Sequence, residues 1–180
     1  SVGPATDGLR SYVALAGGIA VEPVLGSRSS DLLSGLGPRP LRSGDRLPLG
    51  DPGPAPAGTE AVPRPRATTL RLALGPRADW FTSAGIAALD GSAYEVTADS
   101  NRIGLRLRGR PVERARTGEL PSEGMVLGAV QVPPNGQPVV FLHDHPTTGG
   151  YPVLGVVLDE DLPVCAQARP GDRLRLRVVG

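Results

Sequence analysis

Several places in the sequence combine residue types that could do chemistry. At Thr147, Thr148, Gly149 and Gly150 two hydroxyls precede two amides without side chains, a composition suited to cradling a carboxylate or phosphate from the backbone. The plain alternative is a Gly-rich turn required only by its dihedrals. Tyr151 follows directly with a ring and a phenol. His143 and His145 flank Asp144, and along a strand both imidazoles would point to one face, which suits a base beside an orienting carboxylate. With no third ligand nearby, no Cys partner and no HExxH pattern, a surface or hydrogen-bonded His pair outweighs a metal pair, and no metal is expected.

Carboxylates and amides supply a second set. Glu119 and Glu123 bracket a Leu-Pro-Ser run too rich in Pro and Gly to be helical. An ionised carboxylate accepts hydrogen bonds only, so Glu123 held on such a loop could orient a urea-like or lactam N–H. Gln131, beside Pro133 and Pro134, could read an amide with both its donor and its acceptor. Each of these residues is also an ordinary turn or strand residue when taken alone. Other chemistries are excluded by pattern. There is no Gly-x-Ser-x-Gly elbow, and the phosphate loop GxxxxGK and the Ser-x-x-Lys nucleophile both need a lysine that this chain lacks, since all 19 basic residues are Arg.

The arginines are interspersed with 18 Asp and Glu rather than clustered, and aromatic stacking platforms are scarce, so nucleic-acid binding is not expected. Cys165, the single cysteine, can form neither an internal disulfide nor a cysteine metal site; it reads as a small buried hydrophobe in a reducing, cytoplasmic setting. No apolar run reaches the ~20 residues that a membrane-spanning helix needs, and no membrane association is expected.

The elements that must position these groups are short. With 25 Gly and 20 Pro, many turns and few long helices are expected. Alternation predicts strands at 9–15, 69–74, 94–97, 103–107, 126–132, 139–142, 153–158 and 173–179, with an extended run at 46–49. Short helices are predicted at 83–89 and, from Ser29 or Ser30 to Leu36, before Gly37 and Pro38. Residues 51–67, dominated by Pro, Gly and Ala, read as an extended linker between residues 1–50 and residues 68–180. Short words recur in one order in the two parts. Gly17-Gly18, Pro23 to Gly26, Asp31-Leu32 and Gly44 to Leu47 with Leu49 return as Gly149-Gly150, Pro152 to Gly155, Asp161-Leu162 and Gly171 to Leu174 with Leu176. Order and spacing agree, which points to a duplicated unit, one copy per lobe. Mostly β with a few short helices is the pattern of closed or partly closed barrels.

These words carry a resemblance. RSYVALAGGI (10–19), PVLGSRSSDLL (23–33) and LRSGDRL (41–47) closely resemble the middle of the C-type subunits of 5-oxoprolinase, the allophanate hydrolase subunit 2 or biotin-dependent carboxyltransferase family. GPRADWF (75–81), SNRIGLR (100–106), ELPSEG (119–124), GAVQVPP (128–134) and TTGGYP (147–152) follow in the family's order. The resemblance implies two cyclophilin-like β-barrel lobes, with residues 1–50 forming the C-terminal part of the first and residues 68–180 the second. Family members normally begin with a further N-terminal segment that would complete the first lobe. The His143 to His145 pair departs from many relatives.

Three functions follow from the resemblance. The first is one component of an ATP-dependent 5-oxoprolinase, inactive alone, that opens the lactam of 5-oxoproline to glutamate with A-type and B-type partner subunits and with ATP held largely by them. The second is a component of a biotin-dependent carboxyltransferase acting on a urea-like acceptor, with biotin on a partner because this chain has no Lys to carry it. The third is a non-catalytic binder that regulates a kinase-inhibitor partner of the B type. Glu123 and His145 are the expected catalytic residues; Gln131, Thr147, Thr148, Gly149, Gly150 and Tyr151 are the expected substrate-binding ones.

Overall fold

The computed structural model describes Gly3, residues 5–54 and residues 67–180. Most of the expected linker, residues 55–66, lies outside the described residues. The chain separates into two compact units at Arg10 and at that stretch: residues up to Arg10 belong with those after 66, and Ser11 to residue 54 form the second unit.

The larger unit is a closed β barrel. Its elements in chain order are β1 (Thr69–Leu74), a 3-10 turn (Ala78–Trp80), α1 (Ser83–Leu89), β2 (Ala93–Val96), β3 (Gly104–Arg108), β4 (Glu123–Gly124), β5 (Ala129–Gln131), β6 (Val139–Phe141), β7 (Thr148–Gly149), β8 (Val153–Val157), a second 3-10 turn (Asp159–Asp161), α2 (Leu162–Gln167) and β9 (Arg173–Val179). The barrel order is β1-β8-β5-β6-β3-β2-β9, and β4 with β7 makes a separate two-stranded ribbon. All barrel pairs are antiparallel except β9 with β1, whose parallel ladder sets Leu70 opposite Leu176 and closes the ring.

Side-chain alternation explains why these segments become strands. In β9, Leu174 and Leu176 are buried while Arg173, Arg175 and Arg177 are exposed; in β1, Leu70 and Leu72 are buried on either side of Arg71. A period of two puts Leu70, Leu72, Leu174 and Leu176 on the inner face and the arginines between them on the outer one. Tyr94, Val96, Leu105, Leu107, Val130, Val140, Leu154 and Val157 complete the interior. Asp161 fastens the end of α2 to this wall, accepting from the backbone N–H of Arg71 at 2.7 Å and from its Nε at 2.9 Å. Helix α1 starts where Thr82 caps it, Oγ1 accepting from Gly85 N at 2.9 Å. Cys165 on α2 is fully buried, and burial pushes its thiol up to about 12.

The mainly β barrel expected from the sequence is thus present in residues 67–180. Strand 126–132 shortens to Ala129–Gln131, because the Ala129 N–H turns back onto the carbonyl of Val126 at 3.1 Å. In the smaller unit two expectations fail. The predicted helix before Gly37 is a local turn: Asp31 draws the Leu33 N–H to Oδ1 at 2.9 Å and the Ser34 hydroxyl to Oδ2 at 2.6 Å, and an antiparallel bridge joins Asp31 to Leu36. Side-chain bonds of this kind compete with helical backbone bonds and win over so short a segment. The predicted strand 9–15 is not one either, since no ladder partner stands beside it among the described residues. The extended run near Leu49 does find one, an antiparallel bridge to Ile19. No described helix is long and apolar enough to cross a membrane.

Candidate functional site

One end of the β4/β7 ribbon gathers five of the expected site residues. Glu123 in β4 stands directly opposite Gly149 in β7, and Gly124 opposite Thr148. The ribbon is extended by two further bonds, Met125 N–H to Thr147 O at 2.9 Å and Leu120 N–H to Gly150 O at 3.1 Å. Gln131 reaches the same place from the barrel. Its register against β8 shifts between Val130, opposite Gly155, and Gln131, opposite Val153, an irregularity that re-aims a side chain at the end of a strand. The buried Gln131 donates from Nε2 to the carbonyl of Tyr151 at 3.0 Å, which leaves its second Nε2 hydrogen to donate and its Oε1 to accept.

Gly149 is a glycine because of this approach. A Cβ there would lie 2.8 Å from Gln131 Nε2 and 3.1 Å from Met125 Sδ. Directly paired residues of an antiparallel ribbon project to one face, so the side chain of Glu123 leaves the ribbon on the face where Gln131 sits.

Arg77, absent from the residues expected to form the site, joins it from the turn after β1. Its Nε donates to Glu123 Oε2 at 3.1 Å and its Nη2 donates to Oε1, a two-point clasp. The Arg77 hydrogen bond is the main reason that the Glu123 carboxyl is held below its ordinary range, with desolvation opposing it. Glu123 is therefore a fixed acceptor at neutral pH and a poor proton donor. The pair is only half covered, with side chains 39% and 35% exposed, so a ligand can reach both groups. The signal that could have found Arg77 is its place in GPRADWF; its partner lies 46 residues further on, beyond any local pattern.

The remaining expected residues are placed differently. Thr147 and Thr148 are exposed, and Thr148–Gly149 is a paired strand. Neither Gly149 nor Gly150 has a positive φ, so the block offers no left-handed step from which an anion-cradling nest is built. His143 to His145 lie in a turn after β6, not on a strand; Asp144 pairs with Arg102 at 2.8 Å instead of orienting an imidazole. His145 Nδ1 lies 2.8 Å from the carbonyl of Pro146, an oxygen that can only accept, so this contact is a hydrogen bond in the forms of the ring that carry a proton on Nδ1. Glu119 is exposed. Among the described residues no group of His, Cys, Asp and Glu could hold a metal ion.

The family model described as the carboxyltransferase domain, subdomain A and B, matches residues 1–178. The chain belongs to this family. This carboxyltransferase-domain chain is 41% identical over 164 residues to the 5-oxoprolinase C subunit of Escherichia coli strain K12, covering 89% of the chain and 53% of that relative. It is 30% identical over 175 residues to the 5-oxoprolinase C subunit of Haemophilus influenzae, covering 96% of the chain and 57% of that relative. It therefore spans little more than half the length of these two relatives. Among solved structures, the Kluyveromyces lactis urea carboxylase superposes with a TM-score of 0.79 at 26% identity, over 97% of this chain and 18% of that one.

Proposed function

We propose that this chain forms part of one component of an ATP-dependent 5-oxoprolinase, in which water adds across the lactam C–N bond of 5-oxoproline to give glutamate. The observation that carries this reading is the ribbon-end site, where Glu123 and Gln131 share one face: Glu123 is a fixed carboxylate acceptor for the N–H of a cyclic amide, and the second Nε2 hydrogen of the buried Gln131 is a donor for its carbonyl. Similarity to the C components of two 5-oxoprolinases supports the choice of lactam. Glu123 receives the lactam N–H, Gln131 orients the ring, and His145 Nε2 takes a proton from water. Thr147, Thr148 and Tyr151 line the approach, and Gly149 and Gly150 let the substrate come close to the backbone.

The residues of the site do not fit a nucleoside triphosphate. The block that would have to cradle its phosphates is an extended strand in which neither Gly149 nor Gly150 has a positive φ, so its N–H groups do not converge on an anion. Activation by ATP falls to the A-type and B-type partners. A second reading, carboxyl transfer to a urea-like acceptor, draws on the likeness to urea carboxylase and needs a partner that carries biotin, because this chain has no Lys.

The test is ATP-dependent release of glutamate from 5-oxoproline by the full-length protein mixed with its A-type and B-type partners. Release that disappears when this protein is omitted, and falls at least tenfold with Glu123→Gln, supports the proposal. No release from a folded, assembled complex overturns it and moves carboxyl transfer to the front.

A further inference from the structure

We infer that Arg77 reads the carboxylate of the substrate, so that the Arg77–Glu123 pair selects an anionic lactam over a neutral amide at the ribbon-end site; this rests on the oxoprolinase reading above. A guanidinium has five N–H donors, and Glu123 takes two of those on Arg77, one from Nε and one from Nη2. The rest make no hydrogen bond among the described residues, and the side chain is 39% exposed, so they are open to a ligand.

The clasp fixes more than charge. Arg77 holds Glu123 in one orientation, and Glu123 holds the plane of Arg77, so a donor edge and an acceptor edge lie next to one another on the face that carries Gln131. In 5-oxoproline the ring N–H and the carbon bearing the carboxylate are adjacent atoms. That edge of the molecule presents a donor beside an anionic acceptor, the complement of the edge that Glu123 and Arg77 present. A planar guanidinium is suited to this because it can serve two carboxylates at once, one from each side of its fork.

Surrounding charges leave the role to Arg77. Asp79 acts on Arg77 through space but is itself paired with Arg116 at 2.7 Å, and Arg116 together with Arg114 stands over the Trp80 ring. Arg114 spends an N–H on the carbonyl of Gly118. Arg77 is the guanidinium that contacts Glu123 and hence the one that borders the ribbon face.

The experiment compares 5-oxoproline with its neutral carboxamide, which keeps the ring and the N–H and loses only the charge. Apparent affinities of both are measured on the full complex, the acid by KM and the carboxamide by competition, for the wild type, Arg77→Gln and Arg77→Lys. The wild type is expected to prefer the acid by about 10- to 100-fold, the worth of a charged hydrogen bond. Arg77→Gln should bring the preference to about one through KM for the acid, and Arg77→Lys should keep part of it because the charge remains. If Arg77→Gln loses its cooperative melt, the Lys variant carries the test: its preference must fall several-fold and stay above one. A wild type without preference, or variants that keep the full preference, overturns the assignment of Arg77 alone. A wild type that does not hydrolyse 5-oxoproline overturns the oxoprolinase reading and this assignment with it.

Discussion

Near the end of the smaller unit, Arg42 donates its backbone N–H to Asp45 Oδ2 at 2.7 Å; in the barrel unit, Arg169 donates its own to Asp172 Oδ2 at the same distance. Each turn is closed by the Asp N–H bonding back to that Arg carbonyl, and each contains a glycine of nearly equal positive φ, 88° at Gly44 and 92° at Gly171. Four consecutive residues are enough to make the turn, so both copies make it. Leucines at matching places in the repeated words do not share a fate. Leu154 is 0% exposed and Leu25 is 92% exposed; Leu176 is 0% exposed and Leu49 is 55% exposed. Burial is not written into the word that contains the leucine. It depends on a ladder that closes around it, and among the described residues only the barrel unit has one.

The largest test of this comparison truncates matching leucines. Leu176→Ala should cost about 2–5 kcal/mol in chemical denaturation, because a fully buried side chain leaves a cavity. Leu49→Ala should stay within about 0.5 kcal/mol in the same assay. Equal losses would mean that residue 49 is covered as well as residue 176.

Asp161 and Asp31 sharpen the contrast at the next level. Asp161→Ala leaves a backbone N–H of β1 unmet and should cost about 1–3 kcal/mol. Asp31→Ala removes bonds to the exposed Leu33 N–H and Ser34 hydroxyl of its own turn and should cost less. The Asp161 effect should also depend on pH. Its folded-state pKa is lowered, chiefly by the side-chain hydrogen bond from Arg71, so its contribution is full above the ordinary carboxylate range and is lost as pH falls through the lowered value. Melting curves of the wild type and Asp161→Ala should therefore converge on acidification.

A smaller effect is expected at Gly149→Ala. The added methyl meets the flexible ends of Gln131 and Met125, so stability should fall by about 1 kcal/mol or less while KM for the substrate rises. Smallest of all is Cys165, which should resist thiol reagents in the native barrel and react only on unfolding, because it is buried and its thiol stays protonated. Rapid native labelling would mean that α2 opens.

What could be read from the sequence follows the same division. β1, α1 and β9 were legible to the residue because leucine alternation or a Thr cap marks each locally. β4 and β7 were not, since two residues make no period and their pairing joins residues 26 positions apart, Glu123 with Gly149. The helix misread near Asp31 had the right residue types but not the length to outlast side-chain competition. At the site, Glu123, Gln131, Gly149, Gly150 and Tyr151 were singled out largely through family blocks, and the structure brings them together. Arg77 stood in such a block without a visible reason, because an ion pair between distant segments leaves no mark on either one.

The parallel seam between β1 and β9 also sets a clock. β1 is complete at Leu74, but its partner extends to Val179 and follows every other strand of the barrel in the chain. At about 5–20 residues per second on a ribosome, roughly 5–20 s pass between the two. For that interval the edge of β1 that will meet β9 has no strand to bond, and its leucines have only part of their wall. The newborn chain therefore spends seconds as an open, sticky sheet, and its yield in the cell should respond to chaperone supply and translation speed more than the stability of the finished barrel would suggest.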